Sequence, residues 1–117
     1  SLVRVSTLTS TTSLAGHLAH LVREEGKLVV QAIGAGAVNA AMKGLSVARN
    51  FLREDGFDLL YMSRFIEIPT PYRSGESQET TDSDRPDTIS AMQIFVTAVS
   101  LDDAPQFPLT EIAPNRA

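Results

Sequence analysis

Apolar and polar residues alternate over Leu2-Val-Arg-Val-Ser6, which predicts a short first strand. Thr7 to Ser13 is almost all Thr and Ser and reads as a loop, with Ser13 or Thr12 placed to cap the helix that follows. Leu14, Leu18, Leu21 and Val22 recur at helical spacing, so a helix is expected from Leu14 to Glu25. Gly26 ends it, as glycine commonly does just past a last turn. Lys27-Leu-Val-Val-Gln-Ala-Ile33 is apolar through its centre, the pattern of a middle strand covered on at least one face by helices.

The second half repeats the alternation of element types. Val38, Ala41, Met42, Leu45, Ala48 and Leu52 form an apolar stripe on a second helix expected from Ala37 to Glu54, and Gly56 stops it. Asp58 to Ile68 has period two, with Leu59, Tyr61, Ser63, Phe65 and Glu67 on one face and Leu60, Met62, Arg64, Ile66 and Ile68 on the other. Thr88 to Ser100 repeats that pattern as a fourth strand. Strands alternating with helices and then a strand pair, β-α-β-α-β-β, predict an α/β chain, an α+β two-layer sandwich with its helices on one face. The last two strands should pair as a long antiparallel hairpin.

Composition adds boundaries. Residues 69–87 hold early prolines and five acidic residues and read as a flexible loop at the hairpin tip. Residues 101–117 hold three prolines and read as an extended tail, whose Phe107, Leu109 and Ile112 are candidates to dock on the body or on a partner. Residues 1–100 are therefore expected to be one domain, which suits a chain of 117 residues. No apolar run approaches the roughly 18 residues of a membrane span, and residues 1–20 lack the pattern of a signal peptide. Without cysteine, disulfides and thiolate metal sites are excluded, which fits a reducing, cytoplasmic setting. Net charge is −4, but residues 1–68 carry seven Lys/Arg against six Asp/Glu, and residues 69–117 carry three against eight. The folded part is near neutral, without the strong positive field of a non-specific DNA binder.

Several residue groups have a chemical reading beside a structural one. Gly34-Ala-Gly36 opens the second helix, where backbone N–H groups can cradle phosphate with help from Asn39 and Lys43. The same glycines also serve a tight strand-to-helix turn, and architecture is the leading reading. His17, His20 and Glu24 share a helix face, which reads as a solvated or interface face because the chain has no third histidine to complete a zinc shell. Lys43, Arg49 and Arg53 form either a basic edge or ordinary solvated helix surface. Tyr61 and Phe65 are able to stack bases, but core packing is expected of both. No Cys, third His or credible Ser-His-Asp arrangement supports an enzyme, and no cofactor is implied.

Val5-Ser6, Ser10, Ser13-Leu-Ala-Gly16, Leu18-Ala19, Leu21, Arg23-Glu24, Gly26 and above all Gln31-Ala-Ile-Gly-Ala-Gly-Ala-Val-Asn39, continuing through Ala48-Arg49, resemble the stage V sporulation protein S family. The resemblance covers about residues 3–68 and the last strand. It implies an Alba-like fold, similar to chromatin and RNA-binding proteins of that type and to the C-terminal domain of a bacterial translation initiation factor. It also implies a bacterial regulatory protein of sporulation, cell division or development, assembling as a homodimer or higher homo-oligomer. Two departures stand out. Leu8 occupies a loop position where the family usually has lysine, and Arg73 and Arg85 at the hairpin tip sit among Glu76, Glu79, Asp82, Asp84 and Asp87.

The expectation is a non-enzymatic dimer that binds DNA or RNA, its phosphates meeting Thr9, Ser10, Thr11, Thr12, Gly34, Gly36, Asn39 and Lys43. The alternative is a protein–protein interaction module without nucleic acid. The Ala- and Gly-rich second helix, or a strand edge, is the expected dimer contact.

Overall fold

The computed structural model describes residues 1–70 and 87–106. The elements are β1 (Leu2–Val5), α1 (Thr11–Glu25), β2 (Lys27–Ala32), α2 (Ala35–Arg53), β3 (Phe57–Pro69) and β4 (Thr88–Ser100). The expected tip segment 71–86 and tail segment 107–117 lie outside the described residues.

Both helices start earlier than the apolar stripes alone predict. Ser10, not Ser13 or Thr12, caps α1: its hydroxyl accepts from the Ser13 N–H at 3.5 Å. Thr11 and Thr12 thus belong to the first helical turn. A cap must precede the helix with extended backbone, and Ser10 has it, with φ −65° and ψ 129°. Gly26 ends α1 in the left-handed region at φ 78°, and its N–H returns to the Val22 carbonyl. Gly34 is the N-cap of α2, so Gly36 is already helical.

The sheet has strand order β1-β2-β4-β3. β1 and β2 are parallel because α1 crosses between them, and β4 runs antiparallel to both β2 and β3. Register puts Val3, Val5, Leu28, Val30, Ala32, Ile94, Val96 and Leu59 on one face, where they are buried against the helices. From α1 come Leu14, Ala15, Leu18, Ala19 and Val22; from α2 come Ala37, Ala41, Leu45, Ala48 and Leu52. Leu18, Leu45, Leu52 and Val30 are the largest fully buried side chains, each contributing about 1.5–3 kcal/mol by burial. Met42 falls outside this core at 38% exposed, because the buried stripe of α2 is centred on Ala37, Ala41, Gly44 and Ala48.

Small residues on α2 bring it close to α1. A Cβ on Gly44 would lie 2.5 Å from Leu14 Cδ2 and 2.8 Å from its Cγ. The two helices form one layer over one sheet face, and the other face carries no element among the described residues.

β3 and β4 outrun the rest of the sheet. β2 ends where Ala32 meets Met92, but β3 and β4 stay paired from Ile66 opposite Ala91 to Pro69 opposite Thr88. The Thr70 N–H then donates to the Asp87 carbonyl at 3.0 Å. On this ribbon Glu67 accepts from the hydroxyls of Thr88 at 3.0 Å and Ser90 at 2.7 Å.

Candidate functional site

Parallel β1 and β2 deliver both helix N-termini to one end of the molecule, outside the carboxyl ends of these strands. The β1–α1 loop is tied there by its own hydroxyls. Thr9 Oγ1 accepts from the Ser6 N–H at 3.0 Å, the Thr9 N–H donates to the Ser6 carbonyl at 3.2 Å, and the Leu8 N–H reaches Ser6 Oγ at 3.3 Å. Leu8 is left at the tip, 93% exposed. Thr7 packs on Gly36, where a Cβ would collide with its methyl group. Absence of a side chain at Gly36 is therefore what lets the loop sit on the first turn of α2.

Gly34 has φ 86° and ψ 160°, a conformation available essentially to glycine. It carries no side-chain cap, so the first N–H groups of α2 have none from Gly34. Gly34, Ala35, Val38 and Asn39 line one side of a notch of about 510 Å³, and Phe65 of β3 with Ser90 and Met92 of β4 line the other.

The eight residues expected to meet phosphate are only partly gathered. Gly36 and the loop that holds Thr9 and Ser10 are brought together through Thr7, but both hydroxyls already serve the loop and the α1 cap. Thr11 is half-buried and Thr12 exposed in the first turn of α1. Asn39 faces that notch. Lys43 is exposed on α2, eight residues beyond Ala35, or about 12 Å along the axis from its start. Lys43 is thus not adjacent to the glycine turn.

Two other expectations change. Arg49 and Arg53 are neither a free basic edge nor simply solvated, because both hold Asp58 at the start of β3. Arg49 Nε and Nη2 donate to Asp58 Oδ1 and Oδ2 at 2.6 and 2.9 Å, and Arg53 Nη1 reaches Oδ2 at 3.2 Å. Asp58 is 5% exposed. The Arg49 hydrogen bonds hold its carboxyl below the ordinary carboxylate range against the opposing effect of burial, helped by the Leu59 N–H. Tyr61 is half-buried against the core, but Phe65 is 73% exposed, on edge strand β3 level with the last residue of β2. His17 and His20 are exposed, and among the described residues no group of three or more His, Cys, Asp or Glu is placed to hold a metal.

The open sheet face carries an arrangement that sequence reasoning missed. Arg4 pairs with Gln31, Gln31 with Gln93 and Gln93 with Arg64, so one residue from each strand forms a straight row across the sheet. Arg64 Nη2 donates to Gln93 Oε1 at 3.4 Å, and Gln93 Nε2 donates to Gln31 Oε1 at 3.1 Å. The Arg64 guanidinium also lies 5.0 Å from the centre of the Phe95 ring. The neighbouring row is Leu2, Val29, Phe95 and Met62, and the next holds Lys27, Thr97 and Leu60. The period-two pattern held the faces of each strand, but nothing local aligned residues so distant in the chain.

A family model for stage V sporulation protein S matches residues 1–80. The chain belongs to that family. Membership places it with regulatory or binding proteins connected with sporulation. Among solved structures, Alba from Thermoplasma volcanium is similar at 14% identity and a TM-score of 0.55, covering 83% of this chain and 99% of that one. This likeness shows the Alba-like fold expected from the resemblance. No helix among the described residues is long and apolar enough to cross a membrane.

Proposed function

We propose that this member of the stage V sporulation protein S family is a non-enzymatic, cytoplasmic regulator that acts as a nucleic-acid-binding homodimer. The observation that carries the binding reading is the packing of Thr7 on Gly36. It sets the Ser/Thr-rich loop beside the first turn of α2, which has no side-chain cap at Gly34. Backbone N–H groups there suit phosphate oxygens, and such contacts hold a nucleic acid without reading its sequence. Gly34, Gly36 and the first turn of α1 at Thr11 and Thr12 are the contacts favoured by this geometry; Thr9 and Ser10 brace the loop. Lys43 and Asn39 extend the surface along α2.

The dimer reading is supported by the notch between α2 and the β3–β4 pair. Val38, Met92 and the exposed Phe65 give it an apolar lining suited to a second copy of the chain.

Retention on DNA and RNA at about 50 and 200 mM salt tests the binding reading, because phosphate contacts weaken steeply with salt. Salt-sensitive retention is expected; no retention at the lower salt would overturn it. One observation favours a second reading, a protein–protein module: an exposed leucine, not a lysine, occupies the loop tip.

A further inference from the structure

The open face of the sheet has a charge pattern unlike the rest of the chain. Its three rows from Lys27, Thr97 and Leu60 to Arg4, Gln31, Gln93 and Arg64 hold three cations, Arg4, Lys27 and Arg64, and no carboxylate. The whole chain has net charge −4. None of the three cations has a carboxylate partner among the described residues. An anionic occupant is therefore the electrostatic complement of this face, and a second copy would set its cations against their own kind.

The polar row adds direction. Arg64 donates to Gln93 and Gln93 donates to Gln31, so the carbonyl oxygens of both amides are engaged. The Gln31 amide nitrogen and Arg4 stand at the far end as donors. Beside the row, Phe95 offers a half-buried ring with Arg64 over it, and Leu60, Met62, Val29 and Phe95 border an apolar hollow of about 550 Å³. That size lies within the ~300–1,000 Å³ span of small-ligand pockets. Apolar stacking surface, amide donors and separated cations together match an unpaired base with its flanking phosphates. Stacking on an aromatic ring combined with a cationic track is how single strands are held without sequence preference. A duplex hides its base faces and has no use for Phe95.

We propose that the open face of the sheet is a single-stranded nucleic-acid platform. A base takes the place of the Arg64 guanidinium on Phe95, Gln31 donates to base or sugar oxygens, and Arg4, Lys27 and the displaced Arg64 meet phosphates. The inference rests on the nucleic-acid reading above and assigns it a second surface, opposite the helices and apart from the glycine turn.

The test uses the full chain with fluorescently labelled oligo(dT) and oligo(U) of roughly 16 nucleotides, the upper end of the site sizes of single-strand-binding OB folds, beside a duplex of the same length. Wild type is expected to bind the single strands in preference to the duplex. Phe95→Ala should weaken single-strand binding about tenfold, in keeping with the loss of one stacked base. Arg64→Gln should reduce the salt slope by about 0.7, the share of one phosphate on a single strand. Arg64 is exposed, so its variant keeps the fold if Phe95→Ala does not. Glu24→Gln, exposed on α1 in the other layer, should leave single-strand binding unchanged. If wild type binds but both sheet variants bind as tightly, the platform is wrong while nucleic-acid binding stands. If wild type binds neither strand type at low salt, both fall. If Met62→Arg turns a dimer into a monomer, the face is a protein interface and the platform is overturned.

Discussion

Arg49 and Asp58 form a two-point ion pair that fastens the C-terminal half of α2 to the first residues of β3. The carboxylate is buried while both arginines stay partly in water. Removing Arg49 therefore costs more than a surface pair would, because Asp58 keeps only the Leu59 N–H and the longer contact from Arg53. Arg49→Ala should lower stability by about 1.5–3 kcal/mol, the range for hydrogen bonds to a charged group, read as a lower urea midpoint at unchanged slope.

The same pair gives stability a pH dependence. The Asp58 carboxyl is held below its unfolded value, near the ordinary 3.9 of aspartate, so its contribution is complete above that value. It is lost as pH falls through the lower, folded value. Thermal melts between pH 7 and pH 2 should show Asp58→Asn less stable at neutral pH and converging with wild type at the acid end. A constant gap over the whole range would contradict the assignment.

Gly44 and Gly16 make opposed predictions from one substitution. Alanine is the better helix former by about 0.8–1.0 kcal/mol in a helix interior. At Gly16 the added methyl meets nothing within 4 Å, so Gly16→Ala should stabilise the protein by up to that amount. At Gly44 the methyl would press into Leu14, itself buried, and overpacking costs typically about 1–3 kcal/mol. Gly44→Ala should therefore destabilise. Parallel melts of the two variants check the sign of each.

Gly34→Ala should cost about 1–3 kcal/mol, since φ 86° with ψ 160° is a region that side chains avoid. There is open space around the added Cβ, so the loss reports backbone strain alone. Denaturant unfolding measures it.

Phe65 tests the proposed dimer. At 73% exposure its replacement leaves the described core intact, so Phe65→Asp should keep the melting temperature of the monomer fold. Light scattering at about 100 µM, where interfaces of standard size hold, should show a dimer for wild type and a monomer for the variant.

Periodicity alone was enough for the element order. The α1 stripe of Leu14, Leu18 and Val22, the apolar centre of β2 and the two-residue alternation of β3 and β4 are all local signals, and each element formed where they lie. The family was legible for a similar reason, since Gln31 to Asn39 carries it in one unbroken run. Boundaries were less legible. Ser10 competes with Thr11, Thr12 and Ser13 for one cap, and only the backbone angle at Ser10 decides between chemically equivalent hydroxyls.

What the sequence by itself determined was which residues form each strand and helix and which share a face, because side-chain direction follows from the backbone repeat. Tertiary structure decided what those faces meet. Placing β4 between β2 and β3 aligns Arg4, Gln31, Gln93 and Arg64 into one row, although they span most of the described chain. Edge strand β3 leaves Phe65 exposed beside the start of α2, and Asp58 ties down Arg49 and Arg53. Strand order, length and register act between distant segments, so no window along the chain contains them.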